Sequence, residues 1–427
     1  MHARRRRSYL RCVLSVESSA GVPVDVLGRL VRQARLLATD AETAGAGLRT
    51  TVSAKRSRRL GGEVLWVAGV GAVGGYSDAA RSPASGTGPD GLVGLRLDRI
   101  HAALTDGVLD GRPHPVILAG CQVGPPARPC PPEALLHAVV PAAHVAVTQP
   151  DAVMALCAAA NGARITHACF GEMAAWVPYE ATGAALAREL GMAAAEPRVR
   201  MALLARRGLV TWGETEQACH EATVAATRSA RDFIAAAAVG PCCGGPTLAP
   251  LGTRERARLL ARLVPIMSRA LGEQRPKVFE LDTSPDVLAF VCARDAPTLA
   301  QAGAVCSPQV VHTQRMPLWI DADPRCDDAG DLAERLVRGA RRHRTQMRWE
   351  LAAFGGDDAM QIDPDARVVL IAGVGLVSAG ATRTQARRAR LAYRHAIATI
   401  GAADTLDRYV APSAAECAAV ERALRAA

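Results

Sequence analysis

The chain has 427 residues, of which 49% are hydrophobic and 22% charged, and its formal net charge is +10 at pH 7. It is long enough for two or three domains, and its hydrophobic content excludes an intrinsically disordered protein. The positive charge reflects an arginine-rich composition, typical of a GC-rich genome, in which Lys55 and Lys277 are the only lysines. A basic stripe interleaved with aromatic residues would indicate a nucleic-acid-binding protein, and the sequence has no such stripe.

The cysteines and the apolar runs bear on the compartment. The twelve cysteines are scattered, without a CxxC pair or zinc-knuckle spacing. No apolar run is long enough to span a bilayer, and the basic start does not fit a secretory signal. We therefore expect a cytoplasmic protein with reduced thiols and no membrane or nucleic-acid partner. The adjacent pair Cys242-Cys243 lies in a Gly/Pro-rich stretch, which we interpret as a linker rather than a redox site.

Periodicity predicts alternating helices and short strands in the first half of the chain. A basic extension at residues 1–22 precedes a helix at 24–38, a glycine-rich turn at 44–51, a strand at 63–68, a Gly/Ser/Pro loop at 72–91, and a strand leading into a helix at 92–104.

The stretch 133–151 reads as a helix, a turn at Pro141, a buried strand at 144–148, and a new helix opened by Pro150 and Asp151. The remaining elements of this half are a helix at 151–160, a strand at 174–178, a helix at 182–190, a strand at 199–205 and a helix at 214–238.

The second half has its own set of predicted elements after the Gly/Pro-rich boundary at 239–250. These are helices at 253–271, 284–292, 330–353 and 382–400, and strands at 278–281, 310–313 and 368–372. The sequence thus predicts an α/β protein with a basic extension at 1–22, a first domain at 23–240, a linker at 241–252 and a second domain at 253–427.

The two halves contain similar runs. VRMALLARRGLVTWGET, from Val199, aligns with ARVVLIAGVGLVSAGAT, from Ala366, and Val147-Thr148-Gln149 aligns with His312-Thr313-Gln314. A repeat of this length predicts two tandem copies of one layered α/β unit, although chance similarity between Ala/Val-rich strands is the alternative.

The chain resembles the class II aldolase/adducin family in runs that occur in both halves. The resemblance is greatest to the aldolase part of the rhamnulose-1-phosphate aldolase/short-chain dehydrogenase fusion proteins. It rests on runs such as PPEALLHAVVP, HVAVTQPDAVMAL, AAWVPYEATGAALA, RRGLVTWGET and LDTSPDVLAFV, and covers most of residues 24–420. It implies a class II aldolase-like fold, and oligomers by analogy. No GxGxxG motif follows a strand.

The family's chemistry, as the resemblance implies, is a metal-dependent retro-aldol cleavage of a ketose phosphate. The zinc is held by a His-x-His pair and a third His in an RHG turn. In this sequence those positions read Val147, Gln149 and Arg207. The phosphate loops match poorly at 47–51 and 68–71. Valine has no donor atom, and a guanidinium repels a cation, so we expect no metal and no cofactor.

The residues that remain support two hypotheses. Glu133 matches the family's acid/base residue, but it is also suited to the first turn of a helix. Arg206 and Arg207, with Gln149, convert a cation site into an anion site, the alternative being a solvated turn. We interpret His137 and His144 as structural residues, and His312 as a structural or interface residue.

The first hypothesis is a non-catalytic or repurposed protein that binds a small anion, and a homo-oligomer by family analogy. The alternative is a metal-independent lyase that uses Glu133 as base and the two arginines as a clamp on a sugar-phosphate-like or carboxylate substrate. Schiff-base chemistry requires a desolvated lysine. We expect both Lys55 and Lys277 to be exposed, which argues against it.

Overall fold

The fold is taken from a computed structural model. It describes residues 29–30, 32–33, 36–37, 50–57, 63–70, 92–107, 109, 114–123, 130–131, 133–180, 183–238, 240–273, 275–323, 326–354 and 362–425. The predicted extension at 1–22 and the loop at 72–91 lie outside these residues. The chain forms two compact units. The first comprises the residues up to Val153, Thr166–Ala230 and the few from Ala423 onward, and the second comprises Met154–Ile165 and Arg231–Arg422.

The strands are β1 (Thr50–Ser57), β2 (Glu63–Val70), β3 (Leu92–Arg96), β4 (His144–Thr148), β5 (Ala174–Val177), β6 (Met201–Leu204), β7 (Gly208–Gly213), β8 (Val278–Asp282), β9 (Leu318–Ile320), β10 (Val368–Ile371) and β11 (Gly375–Gly380). The helices are α1 (Leu97–Thr105), α2 (His114–Gly120), α3 (Ala134–Val139), α4 (Asp151–Cys157), α5 (Gly162–Phe170), α6 (Gly183–Ala195), α7 (Glu216–Ala237), α8 (Thr253–Leu271), α9 (Pro285–Val291), α10 (Ala296–Ala302), α11 (Ser307–Thr313), α12 (Ala329–Phe354), α13 (Arg383–Leu406) and α14 (Ala414–Arg425). Within the described residues, no helix is long and apolar enough to cross a membrane.

The first unit is built on a seven-stranded sheet in the order β3-β2-β1-β4-β7-β6-β5. Alternate residues of β4 serve its two faces: Val145 and Val147 pack with α1, α3 and α6, whereas Ala146 packs on the opposite side. All five residues of β4 are buried, as expected for a strand covered on both faces. The expected α/β class is confirmed.

The direction of the strands determines what meets at the sheet edge. β4 and β6 both run antiparallel to β7, and β5 runs parallel to β6. The carboxyl ends of β4, β5 and β6 therefore lie at one edge of the sheet. Residues that follow these three strands are therefore brought to the same edge.

The second unit has a four-stranded sheet in the order β8-β11-β10-β9. Helices α9 and α13 cover one face, where Val368 and Leu370 contribute to the core. Helices α8 and α12 cover the other face, through Val369 and Ile371. Each face thus takes every second residue of β10, as the pleat requires.

This sheet repeats part of the first one. The order β8-β11-β10-β9 corresponds to β4-β7-β6-β5, with antiparallel and parallel pairs in the same places. The register also agrees, since Thr148 pairs with Leu209 as Asp282 pairs with Leu376. The parallel strands even place Trp176 and Trp319 at matching positions. The repeat unit is therefore this four-stranded layer with its flanking helices.

The structure corrects one part of the predicted repeat. Residues 310–313 were expected to form a strand matching Val147-Thr148-Gln149, but they belong to helix α11. The counterpart of β4 is β8, so that Asp282 and Thr283 correspond to Thr148 and Gln149. His312 consequently has no equivalent in the candidate site. The domain boundaries proposed from the sequence stay predictions.

Candidate functional site

The candidate site lies at the edge where β4, β5 and β6 end. Gln149 follows β4 by one residue, Tyr179 follows β5 by two, and Arg206 and Arg207 follow β6 by two and three. The topology thus brings Gln149, Arg206 and Arg207 together and adds Tyr179 to them.

Gln149 is 5% exposed, and its Nε2 donates a hydrogen bond to the Arg207 carbonyl oxygen over 2.8 Å. The turn packs closely on the end of β4. A Cβ added to Gly208, which has φ +128°, would lie 2.4 Å from the Thr148 carbonyl oxygen. Only glycine fits there, and this close approach fixes the two arginines beside Gln149.

Arg206 adopts an unusual backbone conformation for an arginine, with φ +54°. Its guanidinium carbon lies 4.2 Å from the centre of the Tyr179 ring, and that of Arg207 lies 5.7 Å from the same centre. Both are within the range of cation–π contacts. The phenol ring therefore supports two positive charges at one edge of the sheet.

The second unit shows that this turn does not need arginine. The matching hairpin between β10 and β11 has Gly373, with φ +69°, at the place of Arg206, and Val374 at the place of Arg207. A left-handed conformation costs a non-glycine residue on the order of 1 kcal/mol. In the first unit Arg206 adopts this unfavourable conformation, in the turn from which both guanidinium groups extend.

The residues at this edge do not fit the zinc ion that the resemblance implies. Val147 offers no donor atom, Gln149 directs its amide nitrogen at a backbone carbonyl, and Arg207 brings a permanent positive charge. Across the part of the chain that the structure describes, no group of three or more His, Cys, Asp or Glu is placed to hold a metal ion.

Glu133 immediately precedes helix α3, in the N-cap position. Its carbonyl oxygen accepts hydrogen bonds from the amides of Leu136 and His137. His137, one turn later, contacts Thr51, and Thr51 pairs with Val147 on β4. The chain then runs on towards Val140, whose carbonyl oxygen contacts Lys55 near the start of β4. Glu133 consequently lies at the end of α3 that points towards the carboxyl end of β4.

His137 is fully buried between two hydroxyl groups. Its Nε2 lies 2.7 Å from Thr51 Oγ1, and its Nδ1 lies 2.8 Å from Ser53 Oγ. Burial, with a smaller contribution from Lys55, lowers the pKa of His137 to about 3. The ring is thus neutral and links α3 to β1, in agreement with a structural role.

The expectation that both lysines are exposed is wrong. Lys55 is half-buried on β1, and its Nζ donates to the carbonyl oxygens of Ala138 and Val140 at the end of α3. Burial lowers the pKa of Lys55 to about 8, against a smaller opposing effect of Glu63 and Glu214. The side chain of Lys277 is 4% exposed and pairs with Asp363. Schiff-base chemistry is therefore not excluded by exposure of the lysines. Lys55, however, caps the carbonyl oxygens at the end of α3, and it lies at the opposite end of β4 from Gln149.

A polar cavity of about 580 Å³ lies beside His144, at the start of β4. Its lining also includes Gln33, Glu214, Glu216 and His220. Gln149 and the arginine pair are not among its lining residues. The cavity is thus separate from the candidate site.

Tyr179 is the residue of the site that the sequence did not single out. Its position after a strand could have pointed to it. Tyr179 follows β5, and because β5 runs parallel to β6, the carboxyl ends of the two strands lie side by side. The parallel pairing itself was not predictable from the periodicity of two four-residue strands.

Comparisons with known proteins fit this architecture. Residues 255–422 match the family described as aldolase class II, second domain. Over 402 residues the chain is 31% identical to a protein of Bacillus subtilis (strain 168) named uncharacterized oxidoreductase YuxG, with 92% of this chain aligned. The chain spans 56% of that relative's length.

Two solved structures are also similar. One is the N-terminal class II aldolase domain of a conserved protein from Thermoplasma acidophilum, with 23% identity, a TM-score of 0.38, and coverage of 48% of this chain and 92% of that one. The other is an L-fuculose 1-phosphate aldolase, with 13% identity, a TM-score of 0.34, and coverage of 50% and 87%. The family match thus places residues 255–422 of this chain in the class II aldolase family.

Proposed function

We propose that the protein binds a small anion at the edge formed by Gln149, Tyr179, Arg206 and Arg207, without a catalytic metal. The observation that carries the proposal is an arginine in a left-handed turn position that the repeated hairpin fills with Gly373. Residues held in such conformations cluster at functional sites.

The chemistry of these groups favours a phosphate or carboxylate. A guanidinium group presents a planar fork of donors that matches the oxygens of both anions. Tyr179 holds the Arg206 group through a ring contact at 4.2 Å, and the buried amide of Gln149 fixes the turn that carries Arg207. A sugar phosphate or a small carboxylate is the ligand class that suits this edge.

Calorimetric titration of the full chain with inorganic phosphate, a ketose phosphate and a small carboxylate tests the proposal. Removing one guanidinium from an anion site costs roughly 1.5–3 kcal/mol, so Arg207→Ala should weaken binding by about 10- to 100-fold. The matched control is Arg198→Ala, since Arg198 is exposed in the same unit and pairs with Glu172. Equal affinities for wild type, Arg207→Ala and the double variant with Arg206→Ala would contradict the proposal.

The alternative proposal is a metal-independent lyase with Glu133 as base. It is favoured by the half-buried position of Glu133, at the end of α3 that points towards the candidate site. A ligand found in the titration would be assayed for turnover, which Glu133→Gln should abolish without loss of folding if Glu133 is the base. Stoichiometric zinc in the purified protein together with ketose-phosphate cleavage would contradict both proposals. The same proposal includes a cytoplasmic location, as expected from the cysteine usage and apolar runs of the sequence, and a homo-oligomeric state by family analogy.

A further inference from the structure

Two adjacent cysteines in the second unit have their sulfur atoms in contact. Cys242 and Cys243 open a short 3-10 turn that ends at Gly244, and their Sγ atoms lie 3.3 Å apart. Cys242 is exposed, whereas Cys243 is buried with 2% exposure. Cys242 is thus the exposed residue of the pair and Cys243 the buried one.

The backbone around the pair holds the two thiols together. Cys243 has a left-handed conformation with φ +53°, and Gly244 and Gly245 follow with φ +76° each. The Cys243 carbonyl oxygen accepts a hydrogen bond from the Asp295 amide over 3.0 Å, and the Gly245 amide donates to the Cys242 carbonyl oxygen over 3.1 Å. A turn anchored on both sides imposes the sulfur–sulfur contact.

Helix α13 leaves room for the exposed sulfur. A Cβ added at Gly401 would lie 2.6 Å from Cys242 Sγ and 3.7 Å from Cys243 Sγ. Any larger residue at position 401 would displace the Cys242 thiol. The glycine therefore lets both sulfur atoms sit against the helix.

The charges around the pair favour a thiolate at Cys242. The hydrogen bond from the Cys243 thiol lowers the pKa of Cys242 to about 7, against the opposing effects of burial and of Asp404, and the Thr405 hydroxyl adds a smaller lowering effect. The same contact, together with burial, raises the pKa of Cys243, and Asp404 and Asp295 add to that rise. Arg294 lies next to Asp295 and pairs with it. At neutral pH the nucleophile is thus the exposed sulfur, with a protonated thiol beside it.

We propose that Cys242 and Cys243 form a redox-reactive dithiol whose co-reactant is a small disulfide of the glutathione class. The Cys242 thiolate attacks one sulfur of that disulfide, a mixed disulfide forms, and one small thiolate leaves. Cys243 then loses its proton and attacks Cys242 Sγ, which releases the second small thiolate. The protein loses two electrons and two protons, and the disulfide is reduced to two thiols. An exposed thiol of low pKa next to a resolving cysteine is the arrangement expected of a redox sensor.

The closed product is expected to be labile. Adjacent Cα atoms are about 3.8 Å apart across a trans peptide, which is below the usual range of about 4.4–6.8 Å for disulfides. Strained and exposed disulfides are the readily reduced ones. Mild treatment with dithiothreitol should therefore reopen the pair.

Mass spectrometry of the full chain treated with oxidised glutathione tests the proposal. Wild type should lose about 2 Da in the peptide that holds both cysteines, whereas Cys243→Ser should keep a glutathione adduct of about 305 Da at position 242. Cys242→Ser should leave position 243 unmodified. Cys326 is also an exposed cysteine and serves as the control, because no cysteine adjoins it in the sequence and it is expected to retain the adduct.

The rate of alkylation by iodoacetamide provides a second readout. At pH 7 a thiol with a pKa of about 7 has about 16 times the thiolate fraction of a thiol with the ordinary pKa of about 8.5. Each thiolate is about fivefold less nucleophilic, because nucleophilicity falls as the pKa falls. Cys242 should thus react about three times as fast as the cysteine of an unstructured peptide that has the ordinary thiol pKa. A wild-type protein that retains the adduct at Cys242, or reaction at Cys243 in the Cys242→Ser variant, would overturn the proposal.

Discussion

At the scale of single residues, Arg206 has a backbone conformation that costs stability and a side chain that belongs to the candidate site. Its φ of +54° is a conformation that suits glycine, and the second unit has Gly373 in the same place. What Arg206 gains in return is a ring contact with Tyr179 at 4.2 Å, worth about 0.5–1 kcal/mol at an exposed site. The contact and the strain are thus of similar size.

Arg206→Gly is therefore expected to leave stability unchanged or to raise it by up to about 1 kcal/mol, because relief of the left-handed strain offsets the lost ring contact. The same change should weaken phosphate binding by about 10-fold or more, since one guanidinium is removed. Urea unfolding and calorimetric titration measure the two effects separately.

The control for this change is Arg206→Ala, which removes the guanidinium and keeps the strain. It should weaken binding equally and lower stability relative to Arg206→Gly. If Arg206→Gly destabilised the protein by more than about 1 kcal/mol and bound phosphate like wild type, the arginine would be a structural residue of the turn.

The sequence was a good guide to the polar residues that follow strands and a poor guide to burial. Gln149 and the arginine pair were identified because they replace known ligand types, and the structure brings them into contact. Lys55 was expected to be exposed because it lies in a basic run, but it is half-buried on β1 and its ammonium group reaches the carbonyl oxygens of Ala138 and Val140. That position depends on β1 pairing with β4, a long-range contact.

At the scale of elements, the hairpin between β6 and β7 depends on a glycine that lets the turn pack on β4. A Cβ on Gly208 would meet the Thr148 carbonyl oxygen at 2.4 Å and the Gln149 side chain at 3.0 Å. Gly375 in the second unit has the same role, with the Asp282 carbonyl oxygen at 2.7 Å. The repeat thus conserves a steric requirement in both sheets.

Gly208→Ala should destabilise the protein by about 2 kcal/mol or more, since the backbone must shift and its φ of +128° is strained for alanine. Thermal or urea unfolding measures the loss. Gly120→Ala is the matched control, because a Cβ at that helical position meets nothing within 4 Å, and it should be neutral or stabilising by up to about 1 kcal/mol. Equal stability of the two variants would show that the turn tolerates a side chain.

The helices and strands also show which elements the periodicity of apolar residues predicts and which it does not. The strand at 144–148 and the helix at 253–271 were predicted with the observed limits. The run at 310–313 was predicted as a strand because three of its four residues are β-branched, but so short a run fits a helix equally well. In the structure Pro308 lies in the first turn of α11 and the Cys306 position caps it, and these helix-start signals outweigh the local β-propensity.

At the scale of the whole molecule, each unit contains a fully buried histidine. His137 in the first unit contacts Thr51 and Ser53, and His395 lies on α13 in the second unit with 4% exposure. Burial lowers the pKa of both to about 3. Unfolding exposes both rings, and their pKa then returns to about 6.5.

This difference makes the fold sensitive to acid. Between pH 6.5 and pH 3 the unfolded chain binds more protons than the folded one, so stability falls as the pH falls through this window. Each histidine should cost about 2 kcal/mol between pH 7 and pH 5, and the stability it contributes is fully present above pH 6.5. Carboxylates with lowered pKa values, such as Asp282, add their own losses at lower pH.

Urea unfolding of wild type and His137→Gln at pH 7 and pH 5 isolates the contribution of this histidine. Glutamine keeps a group that can hydrogen-bond to the hydroxyls of Thr51 and Ser53 but does not titrate. The variant is expected to lose about 2 kcal/mol less than wild type between the two pH values, whatever its stability at pH 7. If wild type and His137→Gln lost the same free energy, His137 would be protonated in the folded state, and the neutral ring between two hydroxyls would be the wrong description of this contact.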